Sequence, residues 1–115
     1  MIAPRMVDHK LFTIAHLSDL HCGSPYFVAN LLERAIREIN EIEPDVVVCS
    51  GDLTTFGYKQ EYTQARKYLD RLDCPDVITI PGNHDSRNVG YVHFEEMIGP
   101  RSAVLRKAGI TFVAI

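Results

Sequence analysis

The sequence has few cysteines, no long apolar run and no cluster of basic residues, and each of these absences excludes a class of protein. Its three cysteines are odd in number and lack Cys-x-x-Cys spacing, which argues against a disulfide framework and a cysteine zinc site. No apolar stretch approaches the length of a membrane span, and charges occupy the opening segment where a secretory signal would be apolar. We therefore expect a cytoplasmic protein with reduced thiols and no membrane partner.

The charge balance is slightly acidic, with 12 basic and 15 acidic side chains among 115 residues and a formal net charge of −3. Because lysines and arginines do not cluster, the sequence lacks the electrostatic footprint of a duplex DNA-binding protein. Nucleic acid is expected as a substrate at most. A hydrophobic fraction of 46% is ordinary for a globular chain, and the length fits one domain or part of one.

Short apolar runs alternate with segments that carry apolar residues at helical spacing. The predicted strands cover residues 11–18, 46–49 and 77–80, and the predicted helices cover residues 25–43, 59–72 and 92–98. Strands that alternate with helices predict right-handed βαβ units and a parallel sheet. A hairpin is predicted from the two runs at 102–105 and 110–115.

The last residues form an apolar, strand-like run at 110–115 without a turn or a polar tail. Natural domains usually finish at exposed polar residues, so we expect residues 1–115 to be a single unit and the truncated N-terminal part of a longer domain. One face of the predicted sheet would then be bare. Self-association, or completion by a missing C-terminal half, is the expected consequence.

Polar residues follow each predicted strand of the parallel sheet. Asp19 and His21 come after the first strand, Asp52 after the second, and Asn83 and His84 after the third. Because the carboxyl ends of parallel strands open onto one crevice, we expect these side chains to meet there. Asp and Asn also cap loops and helices, but their joint occurrence with two histidines favours a functional site.

These residue types suit a pair of metal ions. Asp19 and His21 are two positions apart, which in an extended backbone turns both side chains to the same side. Asp52 offers two oxygens, enough to bridge two cations, and Asn83 adds a neutral amide oxygen. Nitrogen and oxygen ligands without thiolate favour manganese, iron or zinc, and the choice among the three stays open.

Two metal ions about 3.5 to 4 Å apart bind phosphate oxygens and lower the pKa of a water, which yields a metal-bound hydroxide for in-line attack. His84 is then expected to contact the phosphoryl group and protonate the leaving alkoxide, with Asp85 orienting its ring. Arg87 is expected to touch a substrate phosphate, and an ion pair with Asp85 or Glu95 is an equal alternative.

Other residues have ordinary structural explanations. The glycines beside the ligands, Gly23, Gly51 and Gly82, either admit a substrate phosphate or simply form turns. His9, His16 and His93 lie outside the polar clusters, so we expect structural or surface roles for them. We expect core positions for Cys22, Tyr62 and Tyr68.

Three motifs carry a family resemblance. Asp-Leu-His at 19–21, Gly-Asp-Leu at 51–53 and Gly-Asn-His-Asp at 82–85 resemble, in this order, the first three signature motifs of the calcineurin-like metallophosphoesterases. The surrounding sequence is most similar to the prokaryotic branch that contains cyclic-nucleotide phosphodiesterase-like proteins. The resemblance implies that Asp19 and His21 bind the first metal, Asp52 bridges, Asn83 binds the second metal, and His84 acts on the leaving group.

The resemblance also implies the fold: an α/β chain forming the βαβαβ parallel-sheet half of a four-layer α/β/β/α sandwich, followed by a β-hairpin. The family supplies further histidine ligands from later motifs, and this chain has no histidine after His93. We therefore expect weak metal retention.

The expected function is metal-dependent hydrolysis of phosphodiesters or phosphomonoesters. The alternative is a non-catalytic metallophosphoesterase-like interaction module, or one half of a split protein. The missing basic surface disfavours a DNA nuclease of the same superfamily.

Overall fold

A three-stranded parallel sheet organises the chain. The computed structural model describes residues 11–115, so His9 lies outside the described part. The strands are Ile14–Leu17 (β1), Val46–Cys49 (β2) and Val77–Thr79 (β3). Their spatial order is β1-β2-β3, and both neighbouring pairs are parallel. The predicted βαβαβ unit is thereby confirmed.

Two helices connect these strands and a third follows them. The helices are Ala29–Ile42 (α1), Lys59–Leu69 (α2) and Gly90–Met97 (α3). The prediction started α1 four residues too early because Pro25 lies in a turn. α1 ends at Glu43, which adopts a left-handed conformation with φ 54°, directly before Pro44. The predicted C-terminal end of α2 at residue 72 is three residues too late, because tight i to i+3 turns replace the helix there.

The hydrophobic core lies between the helices and one face of the sheet. Right-handed crossovers between strands in the order β1-β2-β3 place α1 and α2 on the same face. Val47 and Cys49 from β2 are buried there, against Ile36 and Ile39 of α1. The core residues contributed by α2 and α3 are Tyr62, Ala65, Tyr68, Leu69 and Phe94. The predicted core positions of Cys22, Tyr62 and Tyr68 are confirmed.

The chain ends in the predicted antiparallel hairpin, formed by Ala103–Lys107 (β4) and Ile110–Ala114 (β5). Its two turn residues, Ala108 and Gly109, both have positive φ, as a tight hairpin turn requires. Phe112 of β5 stacks on Phe12 at a ring-centroid distance of 6.1 Å and, with Val48 and Ile78, borders a small apolar space. The hairpin therefore contacts the sheet face that the helices leave free.

Within residues 11–115, none of the helices combines the length and the apolar character that crossing a bilayer demands.

Candidate functional site

The loops that follow β1 and β2 run side by side. The backbone N–H of Asp19 donates to the carbonyl of Gly51, and that of His21 donates to the carbonyl of Asp52, each at 2.9 Å. These bonds extend the β1–β2 pairing beyond the strands themselves. The main chain therefore fixes the register between the first two predicted clusters before any side chain interacts.

Asp19, His21 and Asp52 all adopt left-handed backbone conformations. The φ angles are 61° at Asp19, 50° at His21 and 54° at Asp52. Non-glycine residues seldom adopt this region, and such strain, about 1–3 kcal/mol per residue, concentrates at functional sites. The predicted extended backbone at Asp19 and His21 is wrong. The two side chains converge because of the hydrogen-bonded loop pairing and this unusual backbone.

The side chains of these three residues form a compact donor cluster. Nε2 of His21 lies 3.4 Å from Oδ1 of Asp19 and 4.0 Å from Oδ2 of Asp52. Ligand atoms from all three residues lie within 4.8 Å of one another, so they could hold a metal ion. The Asp52 side chain is 17% exposed and the Asp19 side chain 61%, so the cluster opens to solvent on the Asp19 side. One imidazole nitrogen with two carboxylates suits a transition-metal ion.

A neighbouring hydroxyl group favours the charged form of Asp19. The Ser18 hydroxyl donates to Oδ2 of Asp19 at 2.6 Å. This bond, with a smaller contribution from His21, holds the pKa of Asp19 below its usual value. Asp19 is therefore ionised at neutral pH, as a metal ligand must be. The sequence analysis did not single out Ser18, because a serine before an aspartate is too common to mark a site.

The loop after β3 joins the same cluster through His84. Its backbone N–H donates to Oδ1 of Asp52 at 3.0 Å, and its ring packs edge-on against His21 at a centroid distance of 4.9 Å. Nδ1 of His84 lies 2.9 Å from the carbonyl oxygen of Thr55, which assigns the ring proton to Nδ1 and leaves Nε2 free for chemistry. Asn83 directly precedes this residue and is exposed. Within residues 11–115, no hydrogen bond engages its amide side chain.

Asp85 does not have the predicted contact with His84. Its fully buried carboxylate accepts hydrogen bonds from Leu53 N, Thr54 N, Thr54 Oγ1 and Gly82 N, at 2.8 to 3.1 Å. The prediction that Asp85 orients the His84 ring is therefore wrong. The physical reason is the 3₁₀ turn His84–Val89, in which successive side chains point about 120° apart. The carbonyl of Thr55 contacts the ring instead, and a main-chain carbonyl leaves no signal in the sequence.

Arg87 lies beside the same carbonyl as His84. Its Nη1 is 3.5 Å from the oxygen of Thr55, and its side chain is exposed. No carboxylate in the described part of the chain pairs with it, and Glu95 pairs with Arg101 at 3.8 Å. The alternative of a local ion pair is therefore not realised in this structure.

The glycines near the site allow two loops of the protein to touch. Gly51 has φ 112°, and a Cβ atom there would collide with the backbone of Gly82. A Cβ atom on Gly82 would collide with the Asp52 carboxylate. The close approach is between the loops after β2 and β3, so loop packing accounts for these two glycines, and the alternative that they admit a substrate phosphate stays a prediction.

The histidines outside the clusters do not join the site. Nε2 of His16 lies 2.6 Å from the Ser50 hydroxyl on the exposed sheet surface. His93 lies on α3 beside Tyr62, at a ring-centroid distance of 6.3 Å. The structural or surface roles predicted for these two histidines are confirmed.

Known proteins with related sequences include phosphodiesterases. The chain is 37% identical over 83 residues to a glycerophosphodiester phosphodiesterase of Enterobacter lignolyticus, which covers 72% of this chain and 26% of the relative. It is 37% identical over 81 residues to a probable cyclic nucleotide phosphodiesterase of a Pseudoalteromonas species, covering 63% and 31%. It is also 29% identical over 107 residues to a DNA polymerase II small subunit of Thermoplasma acidophilum, covering 71% and 22%.

The chain therefore spans about a third or less of the length of these curated relatives. The family model for calcineurin-like phosphoesterases matches residues 12–114. Such a match, over nearly all of the sequence, shows that this chain belongs to the calcineurin-like phosphoesterase family.

Proposed function

We propose that this chain carries the metal-binding and acid groups of a metal-dependent phosphodiester hydrolase. One observation carries the proposal. The loops after all three parallel strands meet at a single place, where Asp19, His21 and Asp52 lie within 4.8 Å of one another and the His84 ring lies beside His21. An acidic and imidazole donor set next to a free histidine nitrogen is the arrangement that phosphoryl hydrolysis needs.

In this proposal the described residues hold two metal ions, manganese, iron or zinc. Asp19 and His21 would hold the first ion, Asn83 would hold the second, and Asp52 would be available to both. When bound, such ions would supply positive charge near the phosphoryl oxygens and would make a water more acidic. The donor chemistry supports this assignment, because the cluster offers oxygen and nitrogen atoms and no thiolate.

His84 supplies the proton that the leaving oxygen requires. Its Nδ1 is tied to the Thr55 carbonyl, so Nε2 is the nitrogen that carries and donates the transferable proton. Arg87, whose guanidinium lies against the same carbonyl, provides N–H donors for the non-bridging phosphoryl oxygens. We assign Asn83, His84 and Arg87 to substrate binding. Asp85 has a structural role, because its carboxylate is fully occupied by four protein donors.

Small phosphodiesters are the proposed substrates. Two of the relatives are named for glycerophosphodiesters and cyclic nucleotides, both of which are small phosphodiesters. The net charge of −3 is a poor match for a long polyanion, which disfavours duplex DNA despite the resemblance to a polymerase subunit. Phosphomonoesters are the second substrate class. We also propose a reducing compartment such as the cytoplasm, because all three cysteines are free.

A non-catalytic module, or one half of a split protein, is the second candidate. Within residues 11–115, His21 and His84 are the imidazoles at the site, and so few nitrogen donors fit a protein that binds metal without turnover. Such a protein would bind metal through Asp19, His21 and Asp52 without turnover.

Hydrolysis of bis(p-nitrophenyl) phosphate with added Mn²⁺, Fe²⁺ or Zn²⁺ distinguishes these functions. We expect turnover by the wild type, and a loss of about 100-fold or more in Asp52→Asn and in His84→Gln. Asp73→Asn, an exposed carboxylate outside the cluster, serves as the control and should match the wild type. Equal activity in all four proteins would defeat the assignment. Metal binding that depends on Asp52 without turnover would favour the second candidate, a non-catalytic module or one half of a split protein.

A further inference from the structure

A groove of about 430 Å³ begins at the metal-binding cluster and runs along the N-terminal half of α1. Asp19 and His21 stand at one end of it. The remainder is mainly apolar, and the side chains that matter here are Leu17, Tyr26, Phe27, Val28, Leu31 and Leu32. A molecule that binds the metal cluster through one group would therefore place a second group directly in this groove.

The groove presents large apolar side chains to water. The Tyr26 residue is 88% exposed and Leu31 is 66% exposed, and Val28 between them is half exposed. Neighbouring exposed apolar residues of this size are typical of a binding surface. Covering them lowers the free energy by about 25 cal/mol for each Å² of apolar surface removed from water. Their position in a cavity continuous with Asp19 and His21 indicates a ligand of the metal site as the occupant.

The charge of the groove restricts the chemistry of that occupant. Of the described residues that line it, none is a lysine or an arginine, and its one carboxylate, that of Asp19, lies at the metal-binding end. A second phosphate group or another anionic substituent would be left without a counter-charge from a side chain of the groove. An uncharged aromatic or apolar group can instead cover Tyr26 and Leu31.

We infer that this groove is the subsite for an uncharged aromatic or apolar ester group of the phosphodiester, with Tyr26 and Leu31 as its specificity-determining residues. The inference rests on the proposed function, because the metal cluster must hold the phosphoryl group for the ester group to reach Tyr26. It deepens that function by naming the kind of ester that is preferred. Diesters with charged substituents are selected against by the same surface.

The test compares two phosphonates that share one metal-binding head group. Phenylphosphonate and methylphosphonate are titrated into the Zn²⁺-supplemented protein, and binding is followed by calorimetry and by ¹H–¹⁵N amide shifts. We expect phenylphosphonate to bind about tenfold more tightly, with its additional shifts at residues 26–32. Tyr26→Ala should reduce that preference about fivefold, and Tyr26→Phe should retain it. Ile42→Ala, on the same helix and 61% exposed, is the matched control and should behave as the wild type.

The outcomes separate the inference from the function on which it rests. Equal affinity for the two phosphonates in the wild type overturns the subsite and leaves the metal site standing. Binding of neither phosphonate overturns the metal site and the subsite together. Light scattering is compared between the wild type and Leu31→Ser. A dimeric wild type with a monomeric variant would show that a second copy of the chain covers the groove, which also overturns the subsite.

Discussion

The carboxylate of Asp85 accepts the hydroxyl of Thr54 at 2.8 Å and the backbone N–H of the same residue at 2.9 Å. Its second oxygen accepts the N–H groups of Leu53 at 3.1 Å and Gly82 at 3.0 Å. The buried Asp85 side chain thus joins the loop that carries Asp52 to the loop that carries Asn83 and His84. The relative position of these two loops therefore depends on the hydrogen bonds of one buried side chain.

Asp85→Asn is expected to destabilise the protein by about 3 kcal/mol, because an amide NH₂ would face N–H donors and leave buried groups unpaired. Urea denaturation followed by circular dichroism measures the change. Asp70→Asn removes an exposed partner of Arg66 and should cost less than about 1 kcal/mol. A loss in Asp85→Asn no larger than in this control would contradict the structural role.

Asp19→Asn tests the metal site directly. Zinc affinity should fall by at least about 10- to 100-fold, since even residues that only support a ligand have effects of that size. Calorimetric titration with Zn²⁺ measures it, with Asp73→Asn as the reference, and EDTA should remove the bound ion from both proteins. An unchanged affinity in Asp19→Asn would place the ion elsewhere.

Much of the fold could be predicted because it depends on local patterns. The apolar run at 46–49 gave the buried strand β2 and the helical spacing gave α1 and α2. The site could be placed because parallel strands direct their following loops to one edge. Asp85 could not be assigned correctly, since adjacency to His84 in the sequence says nothing about the 3₁₀ turn that directs the two side chains apart. The left-handed backbone at Asp19, His21 and Asp52 could not be predicted either, because Asp and His adopt this region more often than most residues and yet only in a small fraction of cases.

Gly51→Ala should lower the free energy of unfolding far more than Gly109→Ala in the hairpin does. Gly51 has positive φ, and a Cβ atom there also collides with the backbone of Gly82, whereas Gly109 has positive φ with open space around it. The difference in unfolding free energy between Gly51→Ala and Gly109→Ala should be about 2 kcal/mol, which is the cost of the collision alone. Thermal or urea unfolding gives both values. Equal losses would show that the loops after β2 and β3 separate easily.

Stability should decline at alkaline pH through Cys49. Burial raises the pKa of its thiol from 9.0 to about 11. Because the folded state holds this proton more tightly than the unfolded state does, the contribution to stability is complete below pH 9 and is lost as the pH rises toward 11. Cys49→Ala should remove part of the dependence of unfolding free energy on pH over this range, and the remainder is expected from Cys22, because burial raises the pKa of its thiol to about 12.

Alkylation provides a second measurement for Cys49. Iodoacetamide at pH 8 should modify the partly exposed Cys74 well before the buried Cys49. Mass spectrometry of the digested protein identifies the modified residue. Modification of both thiols at equal rates in the folded protein would contradict the burial of Cys49.

The paired backbone bonds from Asp19 to Gly51 and from His21 to Asp52 have a mechanical consequence. Separating the loops after β1 and β2 would break these hydrogen bonds, which continue the pairing of the two strands. We therefore expect the backbones of these two loops to move together. The backbone positions of Asp19, His21 and Asp52 are thus held by main-chain hydrogen bonds that require no bound ion.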